Sequence, residues 1–146
     1  MVREARAEDL NQILELYLCL HESSVPEPSE HLSDTWAQII GDANHHLIVG
    51  ELDSKIVSSC VCVIIPNLTR NARPYAFVEN VVTHTDYRRR GLASECLELA
   101  RKIAREEGCY KMMLLTGSKS PETLEFYRRS GYNDRDKTAF IQWIDP

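Results

Sequence analysis

An arginine-rich junction between two apolar segments holds the residue types best suited to binding chemistry. Residues 87–94 read Tyr-Arg-Arg-Arg-Gly-Leu-Ala-Ser. The backbone N–H groups that begin a helix are unpaired and carry partial positive charge, so they attract anions. Gly91 and Ala93 are small where a ligand approaches the backbone, and the arginines add positive potential to a chain of net charge −5. This junction predicts a site for an anion of pyrophosphate size.

The spacing of the junction excludes two common nucleotide sites. It lacks the Lys-Ser/Thr pair of a Walker A loop and the glycine spacing of a dinucleotide-binding turn. We therefore expect neither nucleotide hydrolysis nor dinucleotide binding. A solvated turn with no ligand is the alternative for an isolated R-x-x-G-x-A pattern. The position between a buried strand and a long amphipathic helix favours the anion site instead.

A carboxylate and a phenol are the candidates for proton transfer. Glu79 lies in the apolar run 75–82, where a carboxylate is costly unless it is used or paired. Partial burial there would raise its pKa towards the range of a general base. Tyr127 follows Phe126 in a predicted helix. A solvent-facing Glu79 and an aromatic pair packed in the core are the alternatives.

The elements that must position these residues follow from hydrophobic periodicity and from cap residues. Ser33 is the expected N-cap of the second helix, and Ser120 with Pro121 begins the fourth. The order β-α-α-β-β-β-α-β-α-β predicts a mixed α/β structure in layers. The predicted strands are 2–5, 47–52, 56–65, 75–83, 110–116 and 137–144, and the predicted helices are 7–20, 33–40, 92–107 and 121–130.

Three segments resemble the GNAT superfamily of acetyl-CoA-dependent N-acetyltransferases in their order and spacing. Residues 88–93 are similar to its phosphate-binding signature, Gln/Arg-x-x-Gly-x-Gly/Ala. Residues 2–17 resemble its first strand and helix, and residues 123–132 (TLEFYRRSGY) resemble its late Phe-Tyr-x-x-x-Gly-aromatic motif. Within the superfamily, residues 108–115 (GCYKMMLL) and Glu79 are similar to glucosamine-phosphate N-acetyltransferases.

The resemblance implies the acyl-CoA N-acyltransferase fold, of class α/β (α+β), as a single domain over residues 1–146. Its mixed, mostly antiparallel sheet has helices on both sides, and its fourth and fifth strands splay apart. The pantetheine arm of the cosubstrate acetyl-CoA enters that gap, and no metal is needed. Thr123 stands where many relatives carry Asn. The expected cofactor contacts are Val81, Val82 and Thr83 for the arm, Arg88, Arg89, Arg90, Gly91, Leu92, Ala93 and Ser94 for the pyrophosphate, and also Thr123 and Phe126.

Acetyl transfer to an amine needs a base, a donor to the oxyanion and a proton for the leaving thiolate. By the resemblance, Glu79 is the base, directly or through water, and Tyr127 is the acid. The backbone N–H of Val81 or Val82 is the oxyanion donor, because the family strand carries a bulge there. Cys96 and Cys109 lie on predicted apolar faces with no activating His or Lys evident, so direct transfer is expected rather than an acyl-enzyme.

The acceptor is expected to be a primary amine on a small molecule, held by loops 21–31 and 66–74. The first loop carries three glutamates that suit a cation, whereas Arg70 and Arg73 in the second suit a carboxylate or phosphate. An amino sugar phosphate, an amino acid and a polyamine-like amine all stay open. The alternatives to a small-molecule enzyme are a non-catalytic acyl-CoA-binding module and an acetyltransferase of protein lysines or N-termini.

Composition limits the partners further. The net charge of −5 disfavours general binding to nucleic acid or to an anionic membrane. No apolar run is long enough to span a bilayer, and five scattered cysteines do not predict a disulfide framework or a metal site. We expect a reduced, cytoplasmic protein. A homodimer through the predicted strand at 137–143 is a further expectation from the resemblance.

Overall fold

One mixed sheet organises the N-terminal part of the computed structural model, which describes residues 1–145. Strands β1 to β4 pair antiparallel in chain order, and β5 pairs parallel with β4. The predicted mixed, mostly antiparallel sheet is therefore confirmed. Within the described residues the strands are β1 (Val2–Glu4), β2 (His45–Leu52), β3 (Lys55–Ile65), β4 (Tyr75–Thr83) and β5 (Met112–Leu114).

Helices cover both faces of this sheet. Helices α1 and α2 pack on one face and α4 on the other. The element α3 is a single turn in which Arg70, Asn71 and Ala72 have left-handed backbone angles. The helices are α1 (Leu10–Leu16), α2 (Glu30–Gly41), α3 (Thr69–Ala72), α4 (Leu92–Glu106) and α5 (Pro121–Arg129), with 3-10 turns at Ala7–Asp9, Tyr17–Cys19 and Thr85–Tyr87.

The central strand β3 is apolar along nearly its whole length because helices cover it on both sides. Towards α1, Val61 packs in a cluster with Ile13 and Leu16. Towards α4, the Cys96 thiol lies 3.9 Å from the Ser58 hydroxyl. Alternate residues of one strand thus enter two different cores, which keeps the strands that carry the candidate site in a fixed register.

Several predicted boundaries were wrong. The second helix begins at Glu30, because the Ser29 hydroxyl accepts a hydrogen bond from the Leu32 N–H at 3.0 Å, so Ser33 is not its N-cap. The predicted helix 7–20 is a short α-helix between two 3-10 turns. The predicted strand 110–116 is reduced to the three residues that pair with β4.

The described chain separates into two compact units, residues 1–114 and 115–145. In the second unit, Pro121 occupies the first turn of α5 and Gly131 follows the helix with a φ of 95°. The predicted strand 137–144 is wrong, since these residues form no strand. Both the single-domain organisation and the homodimer stay predictions. None of the helices in residues 1–145 has the length and apolar character that a membrane span requires.

Candidate functional site

A β-bulge interrupts β4 beside Glu79. In the pairing with β3, Val61 lies opposite Glu79 and Ser59 lies opposite Val82, so two residues of β4 fit against one residue of β3. Asn80, the first of these two, has a left-handed φ of 52°. An inserted residue of this kind bends the strand and changes the direction of its peptide groups. The bulge that the resemblance implied is therefore present.

The pairing between β4 and β5 ends next to the bulge. The last pair is Val78 with Leu114, whereas β4 continues to Thr83. Within the described residues, positions 79–83 of β4 therefore have no β5 partner. An unpaired strand edge can bind an extended ligand through its main chain, as in β-augmentation. This arrangement agrees with the predicted separation of the two strands.

The chain reaches α4 through a tight turn with two left-handed residues, Arg89 (φ 61°) and Gly91 (φ 80°). Gly91 is the N-cap of α4 and has no side chain to accept a hydrogen bond from the first turn. Among the described residues, none beyond the chain neighbours of Gly91 has a heavy atom within 4 Å of the position that a Gly91 side chain would occupy. The first-turn N–H groups of α4 therefore lack a side-chain cap and begin beside open space. Such a helix terminus attracts anions.

Exposed arginines surround this helix terminus. The Arg88 Nε donates a hydrogen bond to the Thr83 carbonyl at 3.3 Å. The Arg90 Nη2 donates to the Asp86 carbonyl at 3.4 Å, and its guanidinium lies 5.2 Å from the centre of the Tyr87 ring. A guanidinium has five N–H donors, so these contacts leave donors on both arginines for a ligand.

Glu79 is exposed, which corrects the expectation that it is partly buried. The argument from burial therefore falls, and the case for Glu79 rests on where its side chain lies. Glu79 is one of the residues that line a cavity of about 310 Å³ between α1, α2 and the sheet. Most of the side chains that line the cavity are apolar, among them Leu10, Leu14, Leu32, Trp36 and Val61.

Two titratable side chains in this cavity are neutral near pH 7. Burial raises the pKa of the Tyr17 phenol, which also interacts with the side chains of Ser59 and Asn80. Tyr17 thereby links the 3-10 turn that follows α1 to the bulge. Burial lowers the pKa of His45, so its imidazole is uncharged at neutral pH. Glu79 is the charged residue of the lining.

Sequence reasoning missed this cavity. Tyr17 and Trp36 occupy helical positions that normally face a packed core. Residues that line a cavity have the same helical spacing as residues that fill a core, so the sequence alone does not distinguish the two. Asn80 gave one local signal, because Asn tolerates left-handed backbone better than other residues with a β-carbon. That signal becomes informative only once the strand pairing is known.

The arginines of loop 66–74 are engaged beside the end of α4. Arg73 donates to the carbonyls of Gly108 and Cys109 at 3.1 and 3.2 Å. The Arg70 guanidinium lies 5.3 Å from the centre of the Tyr110 ring. Neither arginine lines the cavity beside Glu79. The expectation that they bind an acceptor carboxylate or phosphate therefore has no support from their positions.

The second unit holds the other predicted residues on α5. The rings of Phe126 and Tyr127 have centroids 5.1 Å apart, and Tyr127 meets Tyr132 edge-on at 6.2 Å. Thr123, Phe126 and Tyr127 are all half-buried. The aromatic packing that the sequence allowed is therefore present, and the acid role of Tyr127 stays a prediction, as do the cofactor contacts of Thr123 and Phe126.

The buried thiols are poor nucleophiles. Cys60, Cys62 and Cys96 are buried in the sheet and α4. Burial raises the pKa of Cys62 to about 12 and that of Cys96 to about 11, and it also raises the pKa of Cys60. Since the thiolate is the reactive form, these groups favour no acyl-enzyme. Across residues 1–145, no cluster of three or more His, Cys, Asp or Glu side chains could hold a metal ion.

The family model described as "Acetyltransferase (GNAT) family" matches residues 10–132. The chain belongs to the GNAT acetyltransferase family. The curated glucosamine 6-phosphate N-acetyltransferase of Trypanosoma brucei brucei is 34% identical to this GNAT chain over 83 residues, which are 57% of the chain and 54% of that protein. The GNAT chain thus matches just over half the length of this relative.

Solved structures show that this GNAT chain has the acyl-CoA N-acyltransferase fold. A protein of Agrobacterium tumefaciens str. C58, named as a candidate acetyltransferase, is 34% identical with a TM-score of 0.89, covering 98% of this chain and 99% of its own. Glucosamine-6-phosphate N-acetyltransferase from Arabidopsis thaliana has a TM-score of 0.86 at 23% identity, covering 99% and 98%. The predicted fold is therefore confirmed.

Proposed function

We propose that this GNAT chain transfers an acetyl group from acetyl-CoA directly to a primary amine. The observation that carries the proposal is the first turn of α4, whose N-cap Gly91 supplies no side-chain hydrogen bond and which the chain reaches from the unpaired part of β4 through residues 84–90. A diphosphate fits there because the terminus offers N–H donors, positive potential and open space. The residues that would hold it are Arg88, Arg89, Arg90, Gly91, Leu92, Ala93 and Ser94.

The strand edge beside that terminus would hold the rest of the cosubstrate. Val81, Val82 and Thr83 would bind the pantetheine arm through backbone groups, since β5 does not pair with this part of β4. Acetyl-CoA supplies an acetyl group activated as a thioester. The backbone N–H of Val81 or Val82, directed by the bulge, would donate to the carbonyl oxygen as negative charge develops on it.

Two side chains would move the protons. Glu79 would accept a proton from the attacking amine, directly or through one water, as the new C–N bond forms. Tyr127 would give its phenolic proton to the sulfur as the C–S bond breaks, and solvent would restore that proton. The role of Glu79 is supported by its position beside the bulge. The role of Tyr127 rests on the Phe126-Tyr127 motif of the family.

A thiol-release assay tests the proposal. We expect the protein to bind acetyl-CoA and to release free CoA thiol when an amine from a panel of amino sugars, amino acids, polyamines and arylalkylamines is added. Glu79→Gln and Tyr127→Phe should each lower turnover about 100-fold, the contribution typical of general acid–base groups, while acetyl-CoA binding is kept. Glu98→Gln and Tyr110→Phe serve as matched controls with unchanged turnover.

Two results would contradict parts of the proposal. Binding of acetyl-CoA without thiol release by any amine would favour a non-catalytic acyl-CoA-binding module. Unchanged turnover in both Glu79→Gln and Tyr127→Phe would remove these proton-transfer roles and leave the family assignment intact.

A further inference from the structure

The cavity beside Glu79 has the dimensions of a small-molecule site. Its volume of about 310 Å³ lies at the lower end of the range of such sites. Elements from three parts of the chain border it and leave one side open: α1, α2 and the strands β2, β3 and β4. A cavity of this size between a helix pair and a sheet suits a compact molecule better than a polypeptide segment.

The lining of the cavity combines an apolar body with one anionic group. Leu10, Leu14, Leu32 and Trp36 present apolar side chains from the two helices. Glu79 supplies the carboxylate, at the point where β4 bends. An occupant that matches this pattern has one cationic end and an uncharged, apolar remainder, because an apolar wall cannot repay the desolvation of a second charged group.

The cationic side chains that a phosphate would need are absent from the lining. None of the lining residues within the described chain is Lys or Arg. The two arginines of loop 66–74 are committed elsewhere, Arg73 to two carbonyls at the end of α4 and Arg70 to the Tyr110 ring. His45 is in the lining, but its lowered pKa leaves it neutral at pH 7.

From these observations we propose that the acceptor is a small primary amine on an apolar or aromatic body, such as an arylalkylamine, and not a phosphorylated amino sugar. This inference rests on the proposed acetyl transfer and specifies its substrate class. The ammonium group lies at Glu79, next to the strand edge that would hold the thioester, and the apolar body lies against α1 and α2. The cavity, and not loop 66–74, determines specificity.

The inference is tested by comparing acceptors in the thiol-release assay. With acetyl-CoA as donor, 2-phenylethylamine should have a kcat/KM at least about ten-fold above that of glucosamine 6-phosphate. A ten-fold difference corresponds to about 1.4 kcal/mol, which the burial of one small apolar group supplies. A higher kcat/KM for glucosamine 6-phosphate would overturn the substrate class and leave acetyl transfer standing. If acetyl-CoA binds and no amine releases thiol, both the proposed function and this inference fail.

A charge-insertion variant tests the location of the acceptor. Thr35 is exposed on α2 and lines the cavity, so Thr35→Arg places a cation in the wall that the apolar body of the amine would contact, without filling a core. We expect the KM for 2-phenylethylamine to rise about ten-fold, because the apolar body would have to desolvate this guanidinium and the added cation disfavours a cationic ligand in the same cavity. Ser33→Arg adds the same charge on the same helix outside the lining and should leave the KM unchanged.

Equal effects of Thr35→Arg and Ser33→Arg would show that the acceptor does not use this cavity.

A third comparison separates free amines from peptide amines. A tripeptide with an N-terminal Phe should be a poorer acceptor than 2-phenylethylamine, because the mostly apolar lining offers few hydrogen-bond partners for its peptide groups. A faster reaction with the tripeptide would overturn the small-molecule part of the proposal.

Discussion

Substitution of Gly91 by Ala tests whether the helix terminus holds a diphosphate. Gly91 has a φ of 80°, a conformation that costs an L-residue about 1 kcal/mol. The added methyl meets no heavy atom within 4 Å, so the ligand-free protein should lose only this strain energy. For a chain of 146 residues that loss corresponds to a fall in Tm of roughly 3–4 °C.

The liganded protein should lose more. In the proposed complex the methyl occupies the open space in which the diphosphate approaches the first turn of α4, so its N–H donors are held away from the anion. We expect the Kd for acetyl-CoA to rise at least about ten-fold, or about 1.4 kcal/mol. Isothermal titration calorimetry measures the Kd, and thermal melts with and without acetyl-CoA separate the stability loss from the affinity loss.

The matched control is Gly41→Ala at the end of α2. Gly41 also has open space around its missing side chain, but its φ is not left-handed. This variant should keep the stability of the parent protein, or gain slightly because Ala favours helix, and its acetyl-CoA affinity should not change. If Gly91→Ala binds acetyl-CoA as tightly as the parent, the diphosphate does not lie at this helix terminus and the reasoning is refuted.

Two further predictions concern stability and thiol reactivity. The Arg3 guanidinium donates to Asp9 at 2.7 Å and is the main cause of the lowered pKa of Asp9. The pair therefore stabilises the folded state fully at pH values above about 4, the pKa of an Asp in the unfolded chain. This stabilisation is lost as the pH falls through the lower pKa of Asp9 in the folded protein. Asp9→Asn should cost about 2 kcal/mol at pH 7 and flatten the stability loss between pH 5 and 2 in urea titrations; an unchanged acid transition would contradict this. In the native protein a thiol reagent should label Cys19 and Cys109 well before the three buried cysteines, whereas all five should react in urea; rapid native labelling of Cys96 would refute its inertness.

Periodicity predicted the sheet well, because burial on both faces gives a signal within the strand itself. The run from Ile56 to Ile65 is apolar on alternate and adjacent positions alike, and in the structure helices cover both sides of β3. The turn residues Asp53 and Ser54, both with left-handed backbone, were equally recognisable as a hairpin connection.

Elements that depend on a distant partner could not be predicted in the same way. Residues 137–144 have the composition of a strand, but a strand forms only where a neighbouring strand supplies hydrogen-bond partners, and composition does not show whether one is there. The choice between Ser29 and Ser33 as the N-cap depends on where the chain leaves the preceding Pro-containing loop, and both residues are good caps.

The candidate site was predictable only in its linear motifs. The junction around Gly91 is continuous in sequence, so its residue types identified it. The exposure of Glu79 could not be inferred from the sequence. The apolar residues beside it in β4 do not show how far helices α1 and α2 extend over that face of the sheet. The cavity beside Glu79 combines α1, α2 and three strands, and no single segment contains its pattern.

The bulge in β4 has a consequence for the permitted length of that strand. Val82 is 5% exposed and packs in the core under α1, and it faces that way only because one extra residue precedes it. If β4 kept all its residues but lost the bulge, regular alternation would turn Val82 towards α4 and exchange the contents of two cores, whereas deleting Asn80 would leave Val82 opposite Ser59 and remove only the bulge. The burial of Val82 in the core under α1 therefore also keeps the bulge, with its left-handed Asn80, next to Glu79. Substitutions at position 80 can keep the bulge, whereas loss of that residue removes it, so natural variation in this family member should accept the first more readily than the second.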